Sequence, residues 1–172
     1  MSNKNIAGLI KIILYAVLGL VAIVLIGGRI GLFAGHPPND LGVTDGRLKA
    51  PANSRNSVSS QAVLYPAHPQ LDYARIAPLE FLDGNATASM QTLAGVLSTM
   101  PGIRLVRQQP DYLYAEARTP WLRFVDDLEF WANPARGVIE VRSASRLGRE
   151  DFGVNRQRVE SIRAAYLAST KK

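Results

Sequence analysis

RFVDDLEFW, Arg123–Trp131, and VIEVRSAS, Val138–Ser145, are separated by Asn133-Pro134-Ala135-Arg136-Gly137, and the reading of these two stretches decides the fold. The separator has turn chemistry, so the two runs form a hairpin. With Phe124, Leu128 and Phe130 on the core face, the period of two puts Asp126 on that face and Asp127 with Glu129 on the other. The same alternation sends Ile139, Val141, Ser143 and Ser145 inward and Glu140, Arg142, Ala144 and Arg146 away. A register that respects both patterns sets Glu129 opposite Arg142 and Asp126 opposite Ser145.

Working outward, Ile103–Gln108 and Tyr112–Arg118 read as two more strands, bounded by Gln109-Pro110-Asp111 and Thr119-Pro120. Before them, Asn85 is placed to cap a helix through Met100. Met90, Leu93, Leu97 and Met100 recur along it at helical spacing, and Pro101-Gly102 stops it. Arg75–Leu82 reads as a short strand that Pro78 assigns to an edge. After the hairpin, Gly153 to Ala168 reads as a helix with Val159, Ile162 and Tyr166 on one face and Arg156, Arg158 and Arg163 turned from it. Strand, helix, four antiparallel strands and helix describe an α+β domain of about five mostly antiparallel strands with both helices on one face.

The first third of the chain is a different material. Ile12 to Gly28, IILYAVLGLVAIVLIGG, carries no charge over 17 residues and is flanked by Lys11 and Arg29. That is enough to cross most of a bilayer core of about 30 Å. No polar stripe marks it as a core helix. The nearest small-x-small site is spoiled by Leu32, so an uncleaved anchor is expected rather than a signal peptide. Lys4 and Lys11 before the span, against Arg29 alone close after it, predict a cytoplasmic N-terminus. The chain is thus expected to be single-pass in the cell inner membrane, with its domain periplasmic or otherwise extracytoplasmic. Gly35–Gln61, rich in Gly, Pro, Asn, Asp and Ser, reads as a tether, the part from Asn53 onward able to pack on the domain. The expected division is residues 1–34 anchor, 35–61 tether and 62–172 domain.

The chain has no Cys, which excludes a disulfide framework, a thiolate metal site and a Cys nucleophile. Its net charge of +6 falls to +3 once Lys4, Lys11 and Arg29 are assigned to the anchor, so the basic balance does not point to nucleic acid. His36 and His68 both lie in proline-rich loop sequence, which suggests neither a triad nor a metal site. Ser57, Ser59 and Ser60 read as turn residues, and Trp121 and Trp131 lie on strands or their edges, where aromatics are usually core or sheet-face residues. No phosphate-binding glycine motif occurs, and no catalytic residue, metal ligand or cofactor is assigned.

The polar candidates are Asp126, Asp127, Arg142, Ser143, Ser145, Arg146, Asp151, Asn155 and Arg156. Every basic residue from Arg55 to Arg163 is Arg, whose planar fork suits bidentate carboxylate pairing. Two readings follow. In one, Asp127, Glu129, Asp151 and Glu160 are neutralised by Arg142, Arg146, Arg156 and Arg158 in a structural network. In the other, Arg142, Arg146 and Arg156 keep donors free for an anionic ligand, oriented by Asn155 and Ser145. Asp126 and Asp127 are adjacent in a strand, point to opposite faces, and cannot flank one substrate atom.

Three blocks, NSVSSQA at Asn56–Ala62, FVDDLEF at Phe124–Phe130 and VRSASRLGREDFGVNRQRVE at Val141–Glu160, resemble the family of unknown function DUF1499. The resemblance covers about Asn53 to Ala168. Many members of that family carry cysteines around the first block; here Ser57 stands at the second such position and no Cys precedes it. The family brings no established activity, but it often follows a membrane segment or export signal, and its shared blocks include all nine polar candidates. Three functions compete. The leading one is a membrane-tethered binding or interaction module for an envelope lipid, a small anionic ligand or a protein partner. The second is a hydrolase or transferase using the Asp/Arg/Ser cluster, and the third a scaffold in a membrane complex.

Overall fold

The structure is a computed structural model and describes residues 3–169. It contains the helices α1 (Asn3–Arg29), α2 (Leu71–Ala74), α3 (Ala86–Thr99) and α4 (Val154–Ala168). Its strands are β1 (Ser57–Ser59), β2 (Leu79–Glu80), β3 (Ile103–Gln108), β4 (Tyr112–Arg118), β5 (Val125–Asn133) and β6 (Val138–Ser145). The strands form one antiparallel sheet in the order β1-β6-β5-β4-β3, with β2 pairing the start of β6 beside β1. The α+β architecture is as the alternation predicts, and so is the register: Glu129 faces Arg142 and Asp126 faces Ser145.

One face of the sheet holds the main core. Leu113, Ala115 and Ala117 of β4, Leu128, Phe130 and Ala132 of β5, Ile139 and Val141 of β6 and Val58 of β1 point to it. Met90, Leu93, Ala94 and Leu97 of α3 and Val159, Ile162 and Tyr166 of α4 close over them. Leu93 and Leu97 are fully buried, each contributing about 2 kcal/mol by removal from water. Asn85 caps α3, its side-chain oxygen accepting from the Ala88 N–H at 2.9 Å. Past Pro101, Gly102 turns back at φ 76°, and a Cβ there would meet the Arg118 carbonyl at 2.9 Å. β3 is the free edge, broken by a bulge between Leu105 and Arg107.

The opposite face is covered by the segment read as a tether. Gly35–Gln61 lies along the sheet instead of hanging free: Leu48 is buried against Tyr112 and Tyr114, with Leu41 and Trp131 packed around them. The Gly42 N–H donates to Glu129 at 2.8 Å, the Leu48 N–H to Gln61 at 2.8 Å and the Ala52 N–H to Ser57 at 2.8 Å. Asp45 and Gly46, at φ 50° and 70°, make a tight turn in which Thr44 and Arg47 exchange backbone bonds. Turn-forming composition governs the conformation of this segment, while two well-placed leucines govern its docking.

Four local readings are corrected. Ser57–Ser59 is a strand rather than a turn, because the outer edge of β6 supplies its backbone partners. Only Leu79–Glu80 of the stretch Arg75–Leu82 pairs, and Leu71–Ala74 before it is a helical turn. Arg123 adopts φ 61°, so β5 begins at Val125, and Phe124 leaves the core to stack on Phe33 at 5.3 Å between ring centroids. Trp121 lies outside the strands, in the β4–β5 loop, and is 74% exposed.

Within the first helix, Ile6–Arg29 is long and apolar enough to cross a membrane, and none of its most apolar stretch is buried against the domain. Its C-terminus is closed by Gly31 at φ 88°, with Leu32 N–H bonded to Gly27 O at 3.0 Å and Gly31 N–H to Gly28 O at 3.2 Å.

Candidate functional site

The nine polar candidates do not gather at one place, because the sheet divides them. On the face under the 35–61 segment lie Asp127, Arg142 and Arg146; on the helix face lie Asp126, Ser143, Ser145, Asp151, Asn155 and Arg156. Each group forms its own network.

Under the segment, Arg146 is the centre. Its guanidinium donates to Asp127 at 2.7 Å, to Glu116 at 2.7 Å and to the Tyr114 hydroxyl at 2.9 Å. Glu116 also accepts from Arg104 at 2.8 Å and Arg118 at 3.2 Å. Burial alone would raise the Glu116 carboxyl, but the three arginines outweigh it and hold it at about 2. Beside this group, Glu129 accepts from Arg142 at 3.1 Å, from the Tyr112 hydroxyl at 2.8 Å and from the Gly42 N–H. Burial, reinforced by Glu129 and Asp127, raises the Tyr112 and Tyr114 hydroxyls and keeps both as donors. Further along β6, the buried Glu140 accepts from Ser60 at 2.6 Å, Arg136 at 2.6 Å and Asn133 at 3.1 Å. Among the described residues, the Arg142 Nε is the one buried side-chain polar atom without a partner.

On the helix face, Asn155 is the hub, fully buried in the first turn of α4. Its amide nitrogen donates to Asp151 at 2.7 Å, to the Ser145 hydroxyl at 2.9 Å and to the Asn56 carbonyl at 3.1 Å. Its amide oxygen accepts from Ser143 and from Arg158. Asp151 accepts from the Tyr73 hydroxyl and from the Gly153 and Asn155 N–H groups, capping the helix entrance. Burial would raise its carboxyl, yet these donors hold it below the ordinary aspartate range. Tyr73 in turn is pushed up to about 12, by burial first and then by Asp151. Asp126 pairs with Arg158 at 2.6 Å, and Arg156 donates to the Tyr73 and Arg75 carbonyls at 2.7 Å.

The one pair that the sequence sets opposite each other, Glu129 with Arg142, forms, and within the expected set Asp127 takes Arg146. The pairing is redrawn elsewhere: Arg158 reaches in to Asp126, Arg156 binds main chain, and Glu160 pairs with Arg163. Asp127 and Asp151 lie on opposite faces of the sheet, so no single substrate atom meets both. Sequence reasoning missed Tyr112, Tyr114 and Glu116, although their alternation along β4 with Asp127 and Glu129 of β5 signals a shared face. It also missed Tyr73 and Asn56, which no local pattern marks.

The family model described as a protein of unknown function, DUF1499, matches residues 47–166. No curated protein and no solved structure matches the chain. The chain belongs to the DUF1499 family. The match begins in the segment that covers the polar face, one residue before the buried Leu48.

Proposed function

We propose that this DUF1499 protein is a membrane-anchored binding or interaction module that acts on a component of the cell envelope, with α1 retained as its anchor and the domain outside the cytoplasm. The observation that carries the reading is the fate of the ionisable side chains. Nearly every buried carboxylate and guanidinium is consumed by a partner within the domain; even Asp126 and Asp151, which line one recess with the Ser145 hydroxyl, are taken up by Arg158, Tyr73 and Asn155. Internal neutralisation of this kind makes a rigid platform rather than a proton-transfer site. The topology rests on Lys4 and Lys11 before the span against Arg29 after it, and on the absence of a small-x-small site near Leu32–Ala34.

The test is purification of the full chain from its own membrane in lipid-retaining polymer discs, followed by mass spectrometry of the lipids and proteins that remain. A component retained in near-stoichiometric amount is expected. Recovery of bulk lipid alone would remove the reading. Protease protection of the domain in intact cells tests the orientation separately.

A further inference from the structure

Two loops meet beside the exit of α1. A Cβ on Gly28 would lie 2.7 Å from the Leu122 carbonyl, so the β4–β5 loop rides directly on the last turn of the helix. Phe33 stacks on Phe124 of the same loop. Gly35 lies against Arg146 and Leu147, at the start of the loop from β6 to α4. The two loops border a shared recess of about 310 Å³ whose walls include Phe124, Leu147 and Phe152, with Asp126, Glu150 and Asp151 at its polar side.

Their two aromatic tips are the most exposed large apolar side chains of the domain. Trp121 is 74% exposed and Phe152 90% exposed, with Leu147 and Val154 also open. Phe152 and Arg123 both adopt positive φ, 52° and 61°, a conformation that costs a non-glycine residue free energy and is kept where function requires it. An aromatic ring held at such a cost and turned to solvent adds nothing to the core. Arg29, Arg123 and Arg149 form no ion pair among the described residues, while Glu150 of the second loop is paired with Arg55 at 3.3 Å, so the unpaired charge on these loops is positive.

We infer that these loops, Thr119–Phe124 and Leu147–Val154, are a second membrane contact. Trp121, Leu147 and Phe152 enter the boundary between headgroups and acyl chains, and Arg123 and Arg149 face anionic headgroups. This rests on α1 being a retained anchor: Gly28 then marks the end of the span, and Leu122, packed on Gly28, places Trp121 at the depth where tryptophan concentrates in membrane proteins. Continuity with the anchor selects a bilayer as the occupant, since any surface touching the last turn of a spanning helix already faces lipid headgroups. Insertion of a few apolar tips beside a basic fringe is a recognised mode of interfacial binding.

The chain holds two tryptophans and no cysteine, which makes both loops easy to label. In full-length Trp131→Phe, reconstituted in discs of phosphatidylcholine with a minor fraction of phosphatidylglycerol, Trp121 is the sole emitter. Replacing the acyl chains with brominated ones should lower its emission about twofold. In Trp121→Phe, the remaining Trp131, about 20 Å further along β5, should keep its intensity. Independently, nitroxide-labelled Phe152→Cys should be more accessible to oxygen than to a water-soluble nickel chelate; the site is exposed, so the variant keeps its fold. Trp121 quenched by aqueous acrylamide but not by bromolipid would overturn the inference, and so would Trp121 shielded from both, which marks a protein interface instead. Release of the full chain from membranes by alkaline wash would overturn the anchor reading and this inference with it. Retention without quenching would overturn the inference alone.

Discussion

Glu116 shows how single residues set the acid limit of this domain. Its folded carboxyl sits at about 2 against an ordinary 4.5, so its stabilising contribution is complete above about pH 4.5 and is lost as pH falls toward 2. Asp151 acts in the same direction. Stability of the full chain in detergent, followed by thermal unfolding, should therefore be flat near neutrality and fall below about pH 4.5, and Glu116→Gln should flatten that fall. A stronger effect is expected at Arg142. Removing its side chain leaves Glu129 buried with only Tyr112 and the Gly42 N–H as donors, and Arg142→Ala should cost about 3 kcal/mol in denaturant unfolding. Adding Glu129→Gln should recover part of the loss. The Glu129–Arg142 pair was legible in the sequence because alternation on both strands fixes which side chains share a face. The partners of Asp126 and Asp151 were not legible, since Arg158 and Tyr73 reach them from other elements.

Among the elements, the long ones follow from periodicity and the short ones do not. α3, α4 and the strands β3, β4 and β6 end where Asn85, Pro101-Gly102, Pro110 and the Asn133–Gly137 turn predict. β1 has only Ser-Val-Ser to offer, with no alternation to read, and is a strand because β6 presents a vacant edge. The 35–61 segment has the composition of a linker and the role of a lid on the polar face. Leu48 is its main attachment, so Leu48→Ala should lower stability by about 2 kcal/mol and open the segment to limited proteolysis between His36 and Asn53. If cleavage there were unchanged, the segment would be held mainly by its backbone bonds to Glu129, Gln61 and Ser57. On the other face, Asn155→Ala removes the junction between α4, β6 and the Asn56 carbonyl. It should cost about 3 kcal/mol through the several buried partners left unpaired, whereas Gln157→Ala, two residues on and exposed on the other side of α4, should be neutral.

For the molecule as a whole, the apolar helix α1 and the sheet are not independent. The helix exit, the covering segment and β1 follow one another directly, so the chain passes from apolar helix to polar face to sheet edge without a free linker. The long apolar helix was legible in the sequence, while its contact with the β4–β5 loop was hidden in one glycine, Gly28. Mutating Gly28 to Val should push Leu122 away and change how the domain sits against α1 without unfolding it, which crosslinking between α1 and the β4–β5 loop measures directly.

The pairing of β1 with β6 also dictates when folding can finish. Ser57 meets Ala144, and Asn56 meets Asn155, so residues that leave the ribosome soon after α1 wait for others about 90 to 100 positions further along. Until then the hairpins of β3 to β6 have no closing strand, and the carboxylates and guanidiniums of both faces remain hydrated. Contacts this distant along the chain slow the final collapse. A nascent chain stalled before Ser143 should therefore stay protease-sensitive throughout, and one released after Tyr166 should become resistant in a single step.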